Sequence, residues 1–256
     1  MIHTTEVTTY EIASDNVLNQ RLSFAYYEAA KLMQGNLLEI GCGTGKGTAI
    51  FSEKCSHYTA FDKNTELTNN LSQKYPNFKF INQSIPPFVG MADHSFDSAV
   101  SLQVIEHIDD DHLFVKEIHR VLKIGACAVI STPNIKHSLS RNPWHVREYT
   151  PLQLETLLKK YFSKVELLGV KGNEKVMNYH EENRKSVAKI TRFDIFNLQY
   201  NLPRFLLQIP YEILNRFNRN KLRSENNSLV DSVSLQDFSL SKEVDLCLDL
   251  FAIVHK

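Results

Sequence analysis

Glycines cluster at Gly41, Gly43, Gly45 and Gly47, directly after the short apolar run 37–40, and an acid, Asp62, closes the next apolar run. Glycine has no Cβ, so a chain leaving a buried strand here can turn tightly and let a ligand approach its backbone. A carboxylate about 20 residues further on is placed to accept hydrogen bonds from ribose hydroxyls. The pair points to a nucleotide-like ligand, and spacing discriminates among the candidates. A dinucleotide fingerprint, G-x-G-x-x-G, needs a small residue at 46, where Lys46 stands. A P-loop, G-x-x-x-x-G-K-[ST], fails at Ile40 and Gly47. What remains is Glu39-x-Gly41-x-Gly43-x-Gly45, with Cys42 between the first two glycines. Further along, Glu106, His107 and His145 follow apolar runs and are of the types that act as general bases or metal ligands.

These residues need a frame. Strand-like runs at 36–40, 57–61, 78–82, 98–103, 126–132 and 164–170 alternate with helix-like runs at 46–54, 65–74, 110–122 and 151–161. Such alternation predicts an α/β fold, a mostly parallel sheet with helices on both faces. Ligands then sit beyond the carboxyl ends of the strands, at the point where strand order reverses. A helix over 16–32, started by Ser14 and Asp15, precedes the first strand. The 256 residues suit a single domain, 1–256, with 1–35 as an N-terminal helical cap and 172–244 as a helical insertion before a last strand at 246–254. Within the insertion, 193–217 is rich in Phe, Leu, Ile and Tyr, and Pro203 and Pro210 are expected to end or kink its helices. The polar stretch 218–231 reads as a mobile loop. The insertion is either a packing appendage or a lid and acceptor-binding wall. Exposed apolar residues in 193–217 would suit a homodimer or a membrane surface.

Basic and acidic residues number 29 each, so the chain lacks the excess needed to track a phosphate backbone, and nucleic acid is not an expected partner. Cys42, Cys55, Cys127 and Cys247 form no C-x-x-C pair, which argues against a zinc knuckle or a disulfide framework. Neither an export signal nor an apolar run near 18 residues is present, so a cytoplasmic location without a transmembrane segment is expected.

The segment from Glu39 to Gly47 resembles motif I of the class I S-adenosylmethionine-dependent methyltransferases, and four further segments follow in that family's order. Asp62, in Ala60-Phe61-Asp62-Lys63, resembles the acidic end of the second strand. The run from Ser95 to His107 resembles the fourth strand; Arg120 to Gly125, followed by Val129 to Asn134, resembles the helix, turn and fifth strand. The stretch from Asn142 to Pro151 looks like the loop after it in bacterial small-molecule, lipid and sugar methyltransferases. The resemblance implies a doubly wound, seven-stranded sheet, S-adenosyl-L-methionine as donor and S-adenosyl-L-homocysteine as product. It implies cofactor contacts at Glu39, Gly41, Cys42, Gly43, Gly45, Asp62, Lys63, Leu102 and Gln103. Relatives grip the adenine amino group with an acid after the third strand, where this chain offers Asn82, Gln83 and Ser84. Arg21 suits the methionine carboxylate through bidentate pairing or serves as a surface ion-pair partner; Tyr26 and Tyr27 reach the cofactor or belong to the core.

Methyl transfer from a sulfonium needs alignment and exclusion of water, and a base only where the acceptor must lose a proton. His145, His107 and Glu106 are the catalytic candidates, while Glu148 is read as favouring a helix N-terminus. Related small-RNA 2′-O-methyltransferases and ubiquinone-pathway O-methyltransferases place E-x-x-E-H after the fourth strand and bind a divalent metal there. This chain has Gln103 in place of the first acid, so Glu106, His107 and His145 would form a weaker mixed site. The expected activity is O-methylation of a small-molecule, lipid-like or glycan acceptor. Carboxyl or N-methylation, metal-assisted RNA 2′-O-methylation, and a non-catalytic cofactor-binding partner subunit are the alternatives.

Overall fold

A computed structural model describes residues 12–225 and 227–256; of the expected cap, 1–11 lie outside the described residues. After one 3-10 turn (Ala13–Asp15), α1 (Asn16–Ala30) leads to β1 (Asn36–Ile40). Then follow α2 (Lys46–Phe51), β2 (His57–Asp62), α3 (Thr65–Lys74), β3 (Lys79–Asn82), β4 (Phe96–Leu102), α4 (Asp111–Val121), β5 (Leu122–Pro133), α5 (Pro151–Lys159) and β6 (Lys164–Gly172). Local chemistry sets these boundaries. Asn64 and Asp110 cap α3 and α4 by accepting the N–H groups of Leu67 and Leu113, and α5 opens on a reciprocal Thr150–Gln153 capping box with Pro151 in its first turn.

The strands form one sheet in the order β3-β2-β1-β4-β5-β8-β6-β7, with β8 (Asp249–His255) running antiparallel between β5 and β6. Strand order reverses between β1 and β4, so Gly41 and Gln103 leave the sheet on either side of the resulting crevice. On one face α4 and α5 bury Phe114, Ile118, Leu154 and Leu158 against Leu38, Ile130 and Ala252. On the other, α1 and α2 bury Phe24, Ala29 and Phe51 against Leu37, Val100 and Val129. With both faces covered, β1 and β4 are buried along most of their length, Glu39, Ser98 and Ser101 included.

The sheet has eight strands rather than the expected seven. The additional strand, β7 (Phe238–Ser241), pairs antiparallel with the outer end of β6 and lies inside the stretch read as a helical insertion. The remainder of that stretch is mainly helical: α6 (Glu174–Thr191), α7 (Leu198–Asn201), α8 (Arg204–Glu225) and α9 (Asn227–Ser232). Pro203 precedes α8, but Pro210 sits inside it without ending it. Pro210 and Leu206 are both exposed, so the carbonyl left without an N–H partner is within reach of water. Much of the expected mobile loop at 218–231 is instead the end of α8 and most of α9. Asn218 donates to Asn183 and accepts from Ser186, and Asn16 donates to the carbonyl of Val230 and to that of Val233 just beyond the stretch.

Candidate active site

Beyond Ile40 the chain folds back over the end of β2. The N–H groups of Gly41 and Cys42 both donate to the Phe61 carbonyl, at 2.9 and 3.0 Å, and Gly45, at φ +81°, caps α2. Asp62 accepts from the Gly43 N–H at 2.8 Å and from the Asn64 N–H at 2.9 Å. A Cβ on Gly41 would stand 2.4 Å from a Val104 methyl, so only glycine lets the β4 loop close against this turn. At Gly43, with φ +50°, a Cβ would meet nothing within 4 Å. The backbone there faces open space beside the Asp62 carboxylate, which keeps lone pairs for ribose hydroxyls. These residues fit the expected donor.

The other expected cofactor residues fall at several levels. Glu39 lies beneath the loop, where it accepts from the Tyr58 hydroxyl and occupies the space a Cβ on Gly47 would need. Burial pushes its carboxyl up to about 8, and it braces the turn from inside. Cys42 is buried, and burial raises its thiol. Lys63 and Ser84 are exposed, and Gln83 donates its amide to the Pro87 carbonyl at 2.7 Å. Leu102 ends β4 in the core. Gln103 takes a left-handed conformation, φ +59°, and donates its amide to the Ser131 hydroxyl at 3.0 Å. Arg21 has its Nε 3.1 Å from the buried Asp249 carboxylate at the start of β8. Tyr26, half-buried, packs against the core with its ring tilted 41° to that of Phe51, and Tyr27 is exposed.

Between the carboxyl edge of the sheet and helices α6 to α8 lies a cavity of about 700 Å³. Its polar end carries Arg21, Gln103, Glu106, His107, His145 and Glu148, and Val187, Leu207 and Leu214 are among the apolar residues lining the helical side. Glu106 is 1% exposed and accepts from the Thr132 hydroxyl at 2.9 Å. Burial pushes its carboxyl up to about 7, opposed by nearby His145. Its backbone carbonyl accepts from Val146 and Arg147, which ties the turn after β4 to the loop after β5.

That loop orients His145. Asn142 Oδ1 accepts from the Trp144 N–H at 3.0 Å, which turns Asn142 Nδ2 toward His145 Nε2 at 2.8 Å. In the neutral ring Nε2 is therefore the acceptor, and Nδ1–H donates to Glu148 at 2.7 Å. Burial raises the Glu148 carboxyl, but hydrogen bonds from His145 and Ser138 outweigh it and hold the group below its ordinary value. His107 donates Nδ1–H to the Trp144 carbonyl at 3.0 Å and stands edge-on to His145, ring centroids 4.9 Å apart. The Trp144 indole donates to Glu212 of α8 at 2.8 Å, joining this loop to the insertion.

Candidate donor atoms of Glu106, His107 and His145 lie within 4.8 Å of one another. One carboxylate and two imidazoles suit a borderline cation better than a hard one. Both His145 nitrogens are engaged, however, and Gln103, at the position of the missing acid, is committed to Ser131. As built, the cluster fits a hydrogen-bonded His–Glu dyad better than a closed metal site. The sequence reading missed Glu148 as the partner of His145, although the H-x-x-E spacing is visible, and it missed Asn142 and Thr132, which carry no signal of their own.

A family model described as a methyltransferase domain matches residues 38–130. A curated protein of Mycolicibacterium smegmatis, described as a "probable S-adenosylmethionine-dependent methyltransferase", is 32% identical over 174 residues, 65% of this chain and 67% of that protein. One of the same description from Mycobacterium tuberculosis is 30% identical over 158 residues, 60% of this chain and 55% of that protein. The match thus spans about two thirds of the first and just over half of the second. Among solved structures, an S-adenosylmethionine-dependent methyltransferase from Thermotoga maritima superposes with a TM-score of 0.58 at 15% identity, covering 93% of this chain and 91% of that one, which supports the fold alone. Sheet order, the glycine turn closed onto Asp62 and these relatives converge, and the chain belongs to the class I S-adenosylmethionine-dependent methyltransferases.

Proposed function

We propose that this methyltransferase acts on a hydroxyl of a small amphipathic acceptor, lipid-like or glycan-like, with His145 as the base. The observation that carries the reading is the cavity, which joins one ionisable end to apolar helical walls. S-adenosylmethionine, when bound, supplies a methyl on a sulfonium: the acceptor oxygen bonds the carbon as the C–S bond breaks and its electron pair leaves on sulfur. The Gly43 backbone and Asp62 would hold the donor, Gln103 and Leu102 would border its site, and Arg21, whose Nε pairs with Asp249, would offer its remaining N–H groups to the donor's carboxylate. His145 Nε2 exchanges Asn142 for the acceptor O–H and takes its proton, while Glu148 stabilises the resulting imidazolium. Burial raises the Glu106 carboxyl to about 7, so near neutrality it is divided between a protonated, donating form and a carboxylate facing His145. The helices α6 to α8 act as the acceptor wall and exclude water.

A metal-assisted version of the same transfer is favoured by the short separations within Glu106, His107 and His145. Incubating the protein with methyl-labelled donor and fractionated cell extract, with and without chelator, tests both readings. The expected outcome is label in a lipid or glycan fraction as an alkali-stable methyl ether, formed equally in chelator. An alkali-labile methyl ester would replace the hydroxyl reading with carboxyl methylation. Loss of label in chelator would favour the metal, and label in RNA would overturn the acceptor class.

A further inference from the structure

We propose that the inner sides of α6 and α8 form a subsite for an uncharged sugar unit of the acceptor, an inference that rests on the acceptor class proposed above and narrows it to glycosides. Tyr179 and Asn183 on α6, and Tyr211 and Asn215 on α8, stand four residues apart, so each pair shares one side of its helix, and all four line the cavity. The hydroxyls of Tyr179 and Tyr211 make no hydrogen bond among the described residues. Asn215 Nδ2 is buried and likewise has no partner there. Asn183 is held by a short chain of bonds: the Ser186 hydroxyl donates to Asn218 Oδ1 at 2.6 Å, and Asn218 Nδ2 donates to Asn183 Oδ1 at 2.7 Å. The Asn183 amide nitrogen is left to donate elsewhere. A polar group sheltered from water without a partner costs stability, so a wall built only for packing would carry apolar side chains at these positions.

The chemistry of these groups selects the ligand. Tyrosine hydroxyls both donate and accept, and so does a neutral imidazole. His180, which also lines the cavity, is such a ring: burial, with Arg21 and His137 nearby, lowers it to about 4. A phosphate or carboxylate only accepts and an ammonium only donates, whereas sugar hydroxyls do both. The cations around the wall are already engaged. Arg21 pairs with Asp249, Arg219 pairs with Asp15, and Arg141 donates to the carbonyls of Gln199, Tyr200 and Leu202. The tyrosine rings add apolar faces against which the C–H face of a sugar can lie. The Tyr211 hydroxyl is within electrostatic reach of Glu148, and that of Tyr179 within reach of Arg21, so the subsite borders the His145–Glu148 pair. A sugar held there would present a hydroxyl to His145, and Val187, Leu207 and Leu214 would take its apolar substituent.

The test is titration calorimetry of the full chain, saturated with S-adenosylhomocysteine, for the wild type and for Tyr211→Phe/Asn215→Leu. The probes are octyl glucoside, octyl galactoside and octyl mannoside below their micellar concentrations, with octanol and octyl phosphate for comparison. At least one glycoside is expected to bind the wild type roughly tenfold more tightly than octanol or octyl phosphate, and the variant to lose that preference. The variant should keep its affinity for S-adenosylhomocysteine. Its thermal midpoint should be no lower than that of the wild type, since it loses an unpaired amide and gains a better helix former. No glycoside preferred over octanol, tighter binding of octyl phosphate, or a variant that binds glycosides as the wild type does would each overturn the proposal. So would a variant whose midpoint or S-adenosylhomocysteine affinity falls, which would give Tyr211 and Asn215 a structural role. Binding is read without turnover, so the two readings fail separately. Glycoside binding without hydroxyl methylation keeps the subsite and rejects the transfer reading; methylation of a hydroxyl acceptor that lacks a sugar, unchanged in the variant, does the reverse.

Discussion

The Glu106 carboxyl is held near 7 by burial, above its ordinary value of 4.5. The folded state therefore keeps a proton that the unfolded chain releases, and the associated stability is fully present below 4.5 and lost as pH rises through about 7. Glu106→Gln removes this dependence. Relative to wild type, the variant is expected to gain on the order of 2–3 kcal/mol between about pH 5 and about pH 8, read from urea unfolding. Parallel stability curves for the two proteins would show that Glu106 is ionised in the fold throughout. At this scale the sequence was informative where residue type alone implies chemistry. Gly43 and Asp62 meet as their spacing suggests. Of the Asn142, His145 and Glu148 chain only the H-x-x-E spacing was legible, because the contacts depend on how one loop curls, and Glu39 supports the turn from below instead of facing the open side.

Elements with strong local signals were read well: the capped helices α3 to α5 and the apolar strands β1, β2 and β4 fall within a few residues of their expected bounds. The differences are tertiary. Four residues are too few for β7 to stand out in a polar stretch, and it exists because the edge of β6 is available to pair. The helices of the insertion are fixed by contacts that no local pattern announces. Asp15, 2% exposed, receives Arg216 at 2.9 Å and Arg219 at 3.0 Å from α8, tying the start of the chain to the cavity wall. Asp15→Ala leaves two partly exposed guanidiniums without this partner, so the cost is discounted from that of a fully buried pair to about 2 kcal/mol. Limited proteolysis should then cut within 192–225 faster than in wild type while donor binding is retained. Equal cleavage rates would mean that other contacts hold α8.

For the molecule as a whole, the sheet presents the glycine turn closed onto Asp62, and the insertion walls a cavity of about 700 Å³ over the sheet's carboxyl edge. The first was legible because the strand-end residues recur in order along the chain. The second was not, because the cavity forms only where α6 and α8 pack over the β4 and β5 loops. The central claim is that the His145–Glu148 pair removes a proton from an acceptor hydroxyl at the floor of this cavity. Single-turnover transfer to the labelled acceptor, measured for wild type and His145→Ala alongside donor affinity by calorimetry, tests it most directly. The account predicts a rate lower by roughly 10²–10⁴-fold with donor affinity unchanged. Equal single-turnover rates in the two proteins would contradict it.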